Sequence, residues 1–178
     1  QHTLVLDYND PQQLEDAFAQ HGDDIACVIV EPVAGNMNLV RATQEFLNAM
    51  RALCTRHGAV LIFDEISSGW RLCLGGAHRL YGVAPDVAVF AKAMSNGFAM
   101  GAVIGRAAVM QAAQESFISS TYWTEGVGPA AAVATAGRWV AIAHSSKKTP
   151  AVEGSTASSI RKVTRARTGL SSARTAAA

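Results

Sequence analysis

Three uninterrupted apolar runs, each stopped by an ionisable side chain, constrain this chain more than any other feature. Residues 25–30 (IACVIV) are followed by Glu31, residues 59–63 (AVLIF) by Asp64 and Glu65, and residues 87–91 (VAVFA) by Lys92. A short apolar run without polar alternation is the pattern of a strand covered on both faces, as in a parallel sheet flanked by helices. The intervals are 33 residues from Glu31 to Asp64 and 28 from Asp64 to Lys92. Both match the about 30 residues of a strand-helix-strand unit.

The segments around these runs read as helices and weaker strands. Residues 11–20 carry Leu14, Ala17 and Phe18 on one helical stripe, with Asp10 placed to cap the first turn. Thr43 can cap a second helix running to about His57, with Phe46, Leu47, Met50 and Leu53 or Cys54 three and four apart. His21-Gly22 and His57-Gly58 look like helix ends, with the glycine in the left-handed cap conformation. Residues 3–6 and 102–104 are weaker strand candidates. Residues 107–114 suggest a short helix, and an Ala-rich helix runs from Pro129 to about Ala143. Strands alternating with amphipathic helices specify an α/β fold, a mainly parallel sheet with flanking helices. Parallel strands would bring Glu31, Asp64 and Lys92 to one carboxyl edge, where open α/β sheets bind ligands.

Composition separates two parts. Of the 178 residues, 1–136 carry seven Lys/Arg against thirteen Asp/Glu, whereas 137–178 carry eight against one. Ala, Ser and Thr make up half of the second part, which has too few apolar residues to offset its ordering entropy. The expected division is a folded domain over 1–136 and a basic, disordered tail over 137–178. A basic tail can bind nucleic acid, but no interleaved aromatics or recognisable module accompany this one, so no nucleic-acid partner is assigned. No apolar run approaches the about 20 residues of a membrane helix, and no membrane partner is assigned. Cys27, Cys54 and Cys73 are odd in number and widely spaced, and the five histidines show no ligand spacing. No metal is assigned, and the thiols read as reduced, in a cytoplasmic protein.

Lys92 sits in the context Val-Phe-Ala-Lys-Ala-Met, where partial burial would disfavour its ammonium form and make it a nucleophile or base. The best-known use of such an amine is an imine with a carbonyl, typically that of pyridoxal phosphate, whose ring nitrogen an acid keeps protonated. Asp64 is the natural candidate for that acid. Two stretches offer donors for a phosphate: residues 119–124 (SSTYWT), ahead of the helix near Pro129, and Ser95-Asn96-Gly97. Neither is a Walker loop.

The stretches 30–38 (VEPVAGNMN), 61–66 (LIFDEI), Gly75-Gly76 with 81–86 (YGVAPD), and 91–97 (AKAMSNG) resemble the class III pyridoxal-phosphate-dependent aminotransferases, in particular the glutamate-1-semialdehyde aminomutase-like members. The resemblance implies part of a fold-type I large domain, with pyridoxal 5'-phosphate as cofactor and an amino acid or amino-aldehyde as substrate. It makes Lys92 the internal-aldimine lysine and Asp64 the partner of the pyridine nitrogen. Ile66 would pack on one face of the ring, and Glu31 would line the site. Thr124 corresponds to the threonine that binds the cofactor phosphate across the interface of a homodimer, with Thr121 as the alternative. Two features depart from the family pattern: Ala99 where a proline is usual, and the loop Ser67-Ser68-Gly69-Trp70-Arg71. The family's enzymes are more than twice this length, so the competing expectation is a catalytically inactive fragment of such an enzyme.

Overall fold

The computed structural model describes residues 2–118, 121 and 124–146, the last six as backbone. Among the described residues the strands are β1 (Cys27–Val30), β2 (Val33–Ala34), β3 (Val40–Arg41), β4 (Val60–Asp64), β5 (Val87–Phe90) and β6 (Ala102–Gly105). The main sheet has the order β1-β4-β5-β6, with β1, β4 and β5 parallel and β6 antiparallel to β5. The expected α/β fold with a mainly parallel sheet is thus the observed one. β2 and β3 form a separate two-stranded ribbon just beyond β1.

Two helices cover one face of the sheet. α1 (Pro11–His21) starts where Asp10 accepts a hydrogen bond from the Gln13 amide at 2.9 Å, and α2 (Gln44–His57) where Thr43 accepts from the Phe46 amide at 3.2 Å. Leu14 and Phe18 of α1 and Phe46, Leu47, Met50, Leu53 and Cys54 of α2 meet Leu61 and Phe63 of β4 in one buried cluster. Each large apolar side chain buried there contributes about 1.5–3 kcal/mol. A smaller cluster of Ala88, Phe90 and Met94 gathers Trp70, Met100 and Ala102 around β5. Two short helices follow, α3 (His78–Tyr81) and α4 (Ala107–Met110), the latter passing into a 3₁₀ turn to Glu115, and then the long α5 (Val127–Ser146). α5 continues past residue 136, and residues 147–178 lie outside the described residues.

At the end opposite the candidate site, Asp86 ties the strands together. It is 4% exposed and accepts from the Leu61 amide at 2.8 Å, from Arg51 at 2.9 Å and from Arg106 at 2.9 Å. Its carboxyl pKa lies below the ordinary value. Burial alone would raise it, but the Leu61 amide and the two guanidinium groups outweigh that effect.

Three expectations are corrected. Residues 3–6 form no strand: Leu4 and Val5 are exposed, and Leu6 and Tyr8 dock on the core, with the Tyr8 hydroxyl donating to the Glu31 carbonyl at 2.7 Å. The segment is held by side chains, with no ladder partner among the described residues. β1 is covered on one face only, since Val28 and Val30 pack on the core while Cys27 and Ile29 are exposed. Finally, Gly58 is left-handed (φ 73), but Gly22 is right-handed (φ −53). A Cβ on Gly22 would lie 2.4 Å from the His57 ring, so glycine is needed there for close packing of α1 on α2.

Candidate active site

Val30 pairs with Phe63, and Asp64 pairs with Val89, so Glu31, Asp64 and Lys92 leave neighbouring parallel strands at one carboxyl edge. The convergence expected of these three residues is therefore realised in the backbone. Their side chains are held by different local devices. Asp64 Oδ1 accepts from the Ile66 amide at 2.9 Å, which turns the chain sharply after β4 and leaves Ile66 half-buried beside it. No bond to Asp64 Oδ2 is made among the described residues. Glu31 Oε2 accepts from the Gly35 amide at 3.1 Å.

Lys92 departs from its surroundings in backbone as well as chemistry. It opens a 3₁₀ turn directly after β5 with φ 46, in the left-handed region. That conformation costs an L-residue about 1–2 kcal/mol. Backbone strain of this kind concentrates at functional sites. The partial burial expected for Lys92 is not found. Its side chain is exposed, because the turn lifts it off the sheet, and Nζ donates to Ser67 Oγ at 2.7 Å. Ser67 lies close to Glu31 as well: a Cβ built on Gly35 would be 3.6 Å from Glu31 Oε2 and 3.7 Å from Ser67 Oγ. Lys92, Ser67 and Glu31 are thus gathered around Gly35.

The phosphate candidates separate. Ser95 is fully buried and its hydroxyl donates to the Phe98 carbonyl, so it closes its own turn and cannot face an anion. Thr121 and Thr124 are exposed ahead of α5. No hydrogen bond between described residues joins either to Lys92, Asp64 or Glu31. Ser119, Ser120, Tyr122 and Trp123 lie outside the described residues. An open groove between α1 and α2, lined by Glu15, Phe18, Arg56 and His57, includes none of the edge residues.

Sequence reasoning missed two residues, Glu65 and Ser67. Glu65 is completely buried and accepts from Ser68 Oγ at 2.6 Å, the Ala77 amide at 2.8 Å and the His78 amide at 2.9 Å, with the His78 ring at 3.0 Å. The available signal was an acid placed directly behind a buried apolar run and followed by Gly75-Gly76. A Cβ at Gly76 would sit 2.5 Å from Glu65 Oε1, so that glycine makes room for the carboxylate.

The family model "Aminotransferase class-III" matches residues 4–148. The chain is 60% identical over 110 residues to a glutamate-1-semialdehyde 2,1-aminomutase of Herminiimonas arsenicoxydans, covering 62% of this chain and 26% of that protein. It is 57% identical over 109 residues to the protein of that name from Dechloromonas aromatica, again with 61% and 26% covered. Among solved structures, a transaminase with PLP bound superimposes with a TM-score of 0.72 at 33% identity, over 76% of this chain and 33% of that one. The β-phenylalanine aminotransferase of Variovorax paradoxus gives 0.68 at 34% identity, over 75% and 31%. The chain therefore spans about a quarter of the length of the curated relatives it matches.

Proposed function

Because this chain belongs to the class III aminotransferase family, we propose that it carries the lysine-and-aspartate half of a pyridoxal-phosphate site in an enzyme that moves an amino group. The observation that carries this reading is the single sheet edge at which Asp64 ends β4 and Lys92 follows β5, its parallel neighbour. The residues present suit the cofactor: an exposed amine, a carboxylate oxygen free of described partners, and an aliphatic side chain at Ile66 beside that carboxylate. When bound, pyridoxal phosphate supplies a carbonyl for the amine and a ring that takes up the electron pair released at the substrate α-carbon.

In this reading Lys92 would hold the cofactor, and its amine would carry a proton to or from the substrate α-carbon. Asp64 holds the proton on the ring nitrogen. Ile66 presses on one face of the ring, and Glu31 borders the substrate space. Thr124 belongs to the phosphate site of a partner subunit in a homodimeric full-length enzyme, where Thr121 is the alternative. Residues 1–136 then act as part of the cofactor domain of a cytoplasmic enzyme, with 137–178 as its basic tail. The substrate is an amino acid or amino-aldehyde. The identity to curated aminomutases makes a shift of the amine between neighbouring carbons the first assay, with transfer to a second molecule next.

The test is to mix the purified chain with pyridoxal phosphate, trap the adduct with borohydride and map it by peptide mass. Label confined to Lys92 and absent from Lys92→Ala supports the proposal. No adduct, or label scattered over Lys147 and Lys148, would leave a catalytically inactive fragment. In the full-length enzyme Asp64→Asn should retain the adduct while lowering turnover about 100-fold, the scale of losing one electrostatic partner of a developing charge.

A further inference from the structure

The loop that follows Asp64 is organised by one carboxylate. Glu65 is fully buried, and its two oxygens accept from the Ser68 hydroxyl and from the Ala77 and His78 amides, with the His78 ring alongside. Ser68 and Ala77 stand near the two ends of the loop, so a single side chain fastens both. The backbone of Glu65 adds two more ties: its amide donates to the Val89 carbonyl on β5 at 2.9 Å, and its carbonyl accepts from the Gly69 amide at 2.7 Å. Gly69 and Gly76 are both sites where a Cβ would strike Glu65 or Phe90. The loop is thus packed down on the carboxylate. What it presents outward is Ser67, whose Oγ receives the Lys92 Nζ hydrogen bond at 2.7 Å and whose carbonyl accepts from Arg71 at 2.8 Å.

We propose that Glu65 is a positioning residue: its buried carboxylate holds the Ser67 hydroxyl in place to orient the Lys92 amine. Glu65 acts through Ser67, and it touches neither substrate nor cofactor. The relevance of this relay to amino-group transfer rests on the reading of Lys92 given above, but the relay itself can be tested without the cofactor.

The measurement is the rate at which a small acylating reagent labels Lys92 in the full chain, followed by peptide mass against the other lysines as internal standards. In the native chain Nζ donates to Ser67 Oγ. Removing that acceptor with Ser67→Ala should speed labelling about threefold, the scale of one modest net hydrogen bond. Ser67→Thr keeps the hydroxyl and should restore the native rate. Glu65→Gln, which cannot accept from all its partners, should speed labelling like Ser67→Ala, and the double variant should be no faster than either single one. Effects that multiply in the double variant, or an unchanged rate in Glu65→Gln beside a raised rate in Ser67→Ala, would overturn the proposal. Where Glu65→Gln does not melt cooperatively, Ser68→Ala replaces it. That variant removes one tie and should raise the Lys92 rate in the same direction, whereas an unchanged rate would overturn the relay. Failure of native Lys92 to form a borohydride-trapped adduct would remove the proposed function and leave the labelling result standing, so the two ideas fail separately.

Discussion

Replacing Asp86 should loosen the frame that brings Asp64 and Lys92 to the same edge. Its carboxylate joins the start of β4, through the Leu61 amide, to Arg51 on α2 and to Arg106 after β6. Asp86→Asn keeps the volume and can still offer its carbonyl oxygen to Leu61 and Arg51, which share Oδ2, leaving its NH₂ facing Arg106. The Arg106 side chain is 70% exposed, so losing that contact costs only about 0.5 kcal/mol. Turning charge-assisted bonds to a buried amide and a largely covered guanidinium into neutral ones costs about 1–1.5 kcal/mol more. The expected loss is about 2 kcal/mol, which lowers a urea midpoint by about 1 M at a small-domain m-value. Asp86→Ala also strands the buried Leu61 amide and should lose about 3–4 kcal/mol.

The pH dependence supplies the sharper test. The folded pKa of Asp86 is depressed, so the folded state favours the charged form. Its contribution is complete above the unfolded carboxyl value of about 3.9 and is lost as pH falls through the lower folded value. The stability gap between the native chain and Asp86→Asn should hold steady from about pH 7 to pH 5 and close below about pH 4. Equal urea midpoints near neutrality, or a gap unchanged down to about pH 3, would refute the reasoning.

Lys92→Gly and Lys92→Ala should both abolish the borohydride-trapped adduct, with the glycine variant the more stable by about 1 kcal/mol because it alone escapes the left-handed penalty of an L-residue; a urea midpoint for Lys92→Gly at or below that of Lys92→Ala would show that the backbone is not strained there. Burial pushes the Cys54 thiol up to about 11, so alkylation should reach exposed Cys27 in the native chain and Cys54 only on unfolding, as peptide mass would show. Gly22→Ala and Gly58→Ala should both destabilise, the first by a clash with His57 worth about 1–3 kcal/mol. The second acts through its left-handed φ and costs about 1 kcal/mol. Thermal melts of His57→Ala combined with each glycine variant distinguish the two, since only the Gly22 penalty should then shrink.

The parts of the fold that were legible in the sequence are those whose cause is local. A stripe of Phe46, Leu47, Met50 and Cys54 behind Thr43 specifies a helix wherever it finds an apolar surface, and α2 has the expected cap and end. The parallel pairing followed from apolar runs spaced by about the length of a strand-helix-strand unit, and with it the meeting of Glu31, Asp64 and Lys92 at one edge. Coverage was less legible, since it depends on what else is near. Cys27 and Ile29 belong to a run with the composition of a strand buried twice, but packing reaches only the Val28 and Val30 side. The His-Gly pairs show the same limit. Identical dipeptides end α1 and α2, yet only Gly58 takes the left-handed conformation, because at Gly22 the approach of His57 decides the residue.

The candidate site divides along that line too. Asp64 and Lys92 were found because each ends an apolar run, a one-dimensional signal. Glu65 was not, because its partners Ser68, Ala77 and His78 lie three, twelve and thirteen residues away on a loop without periodicity. An acid following a buried strand reads as the place where solvent begins, and here it is the point at which the chain folds back over itself. The exposure of Lys92 has the same origin. Its apolar neighbours Phe90 and Met94 are buried as the sequence implies, but the positive φ at Lys92 turns the amine away from them and toward Ser67. An apolar context therefore places Lys92 at the end of its strand, while its hydrogen-bonding partner is set by a backbone reversal that composition does not encode.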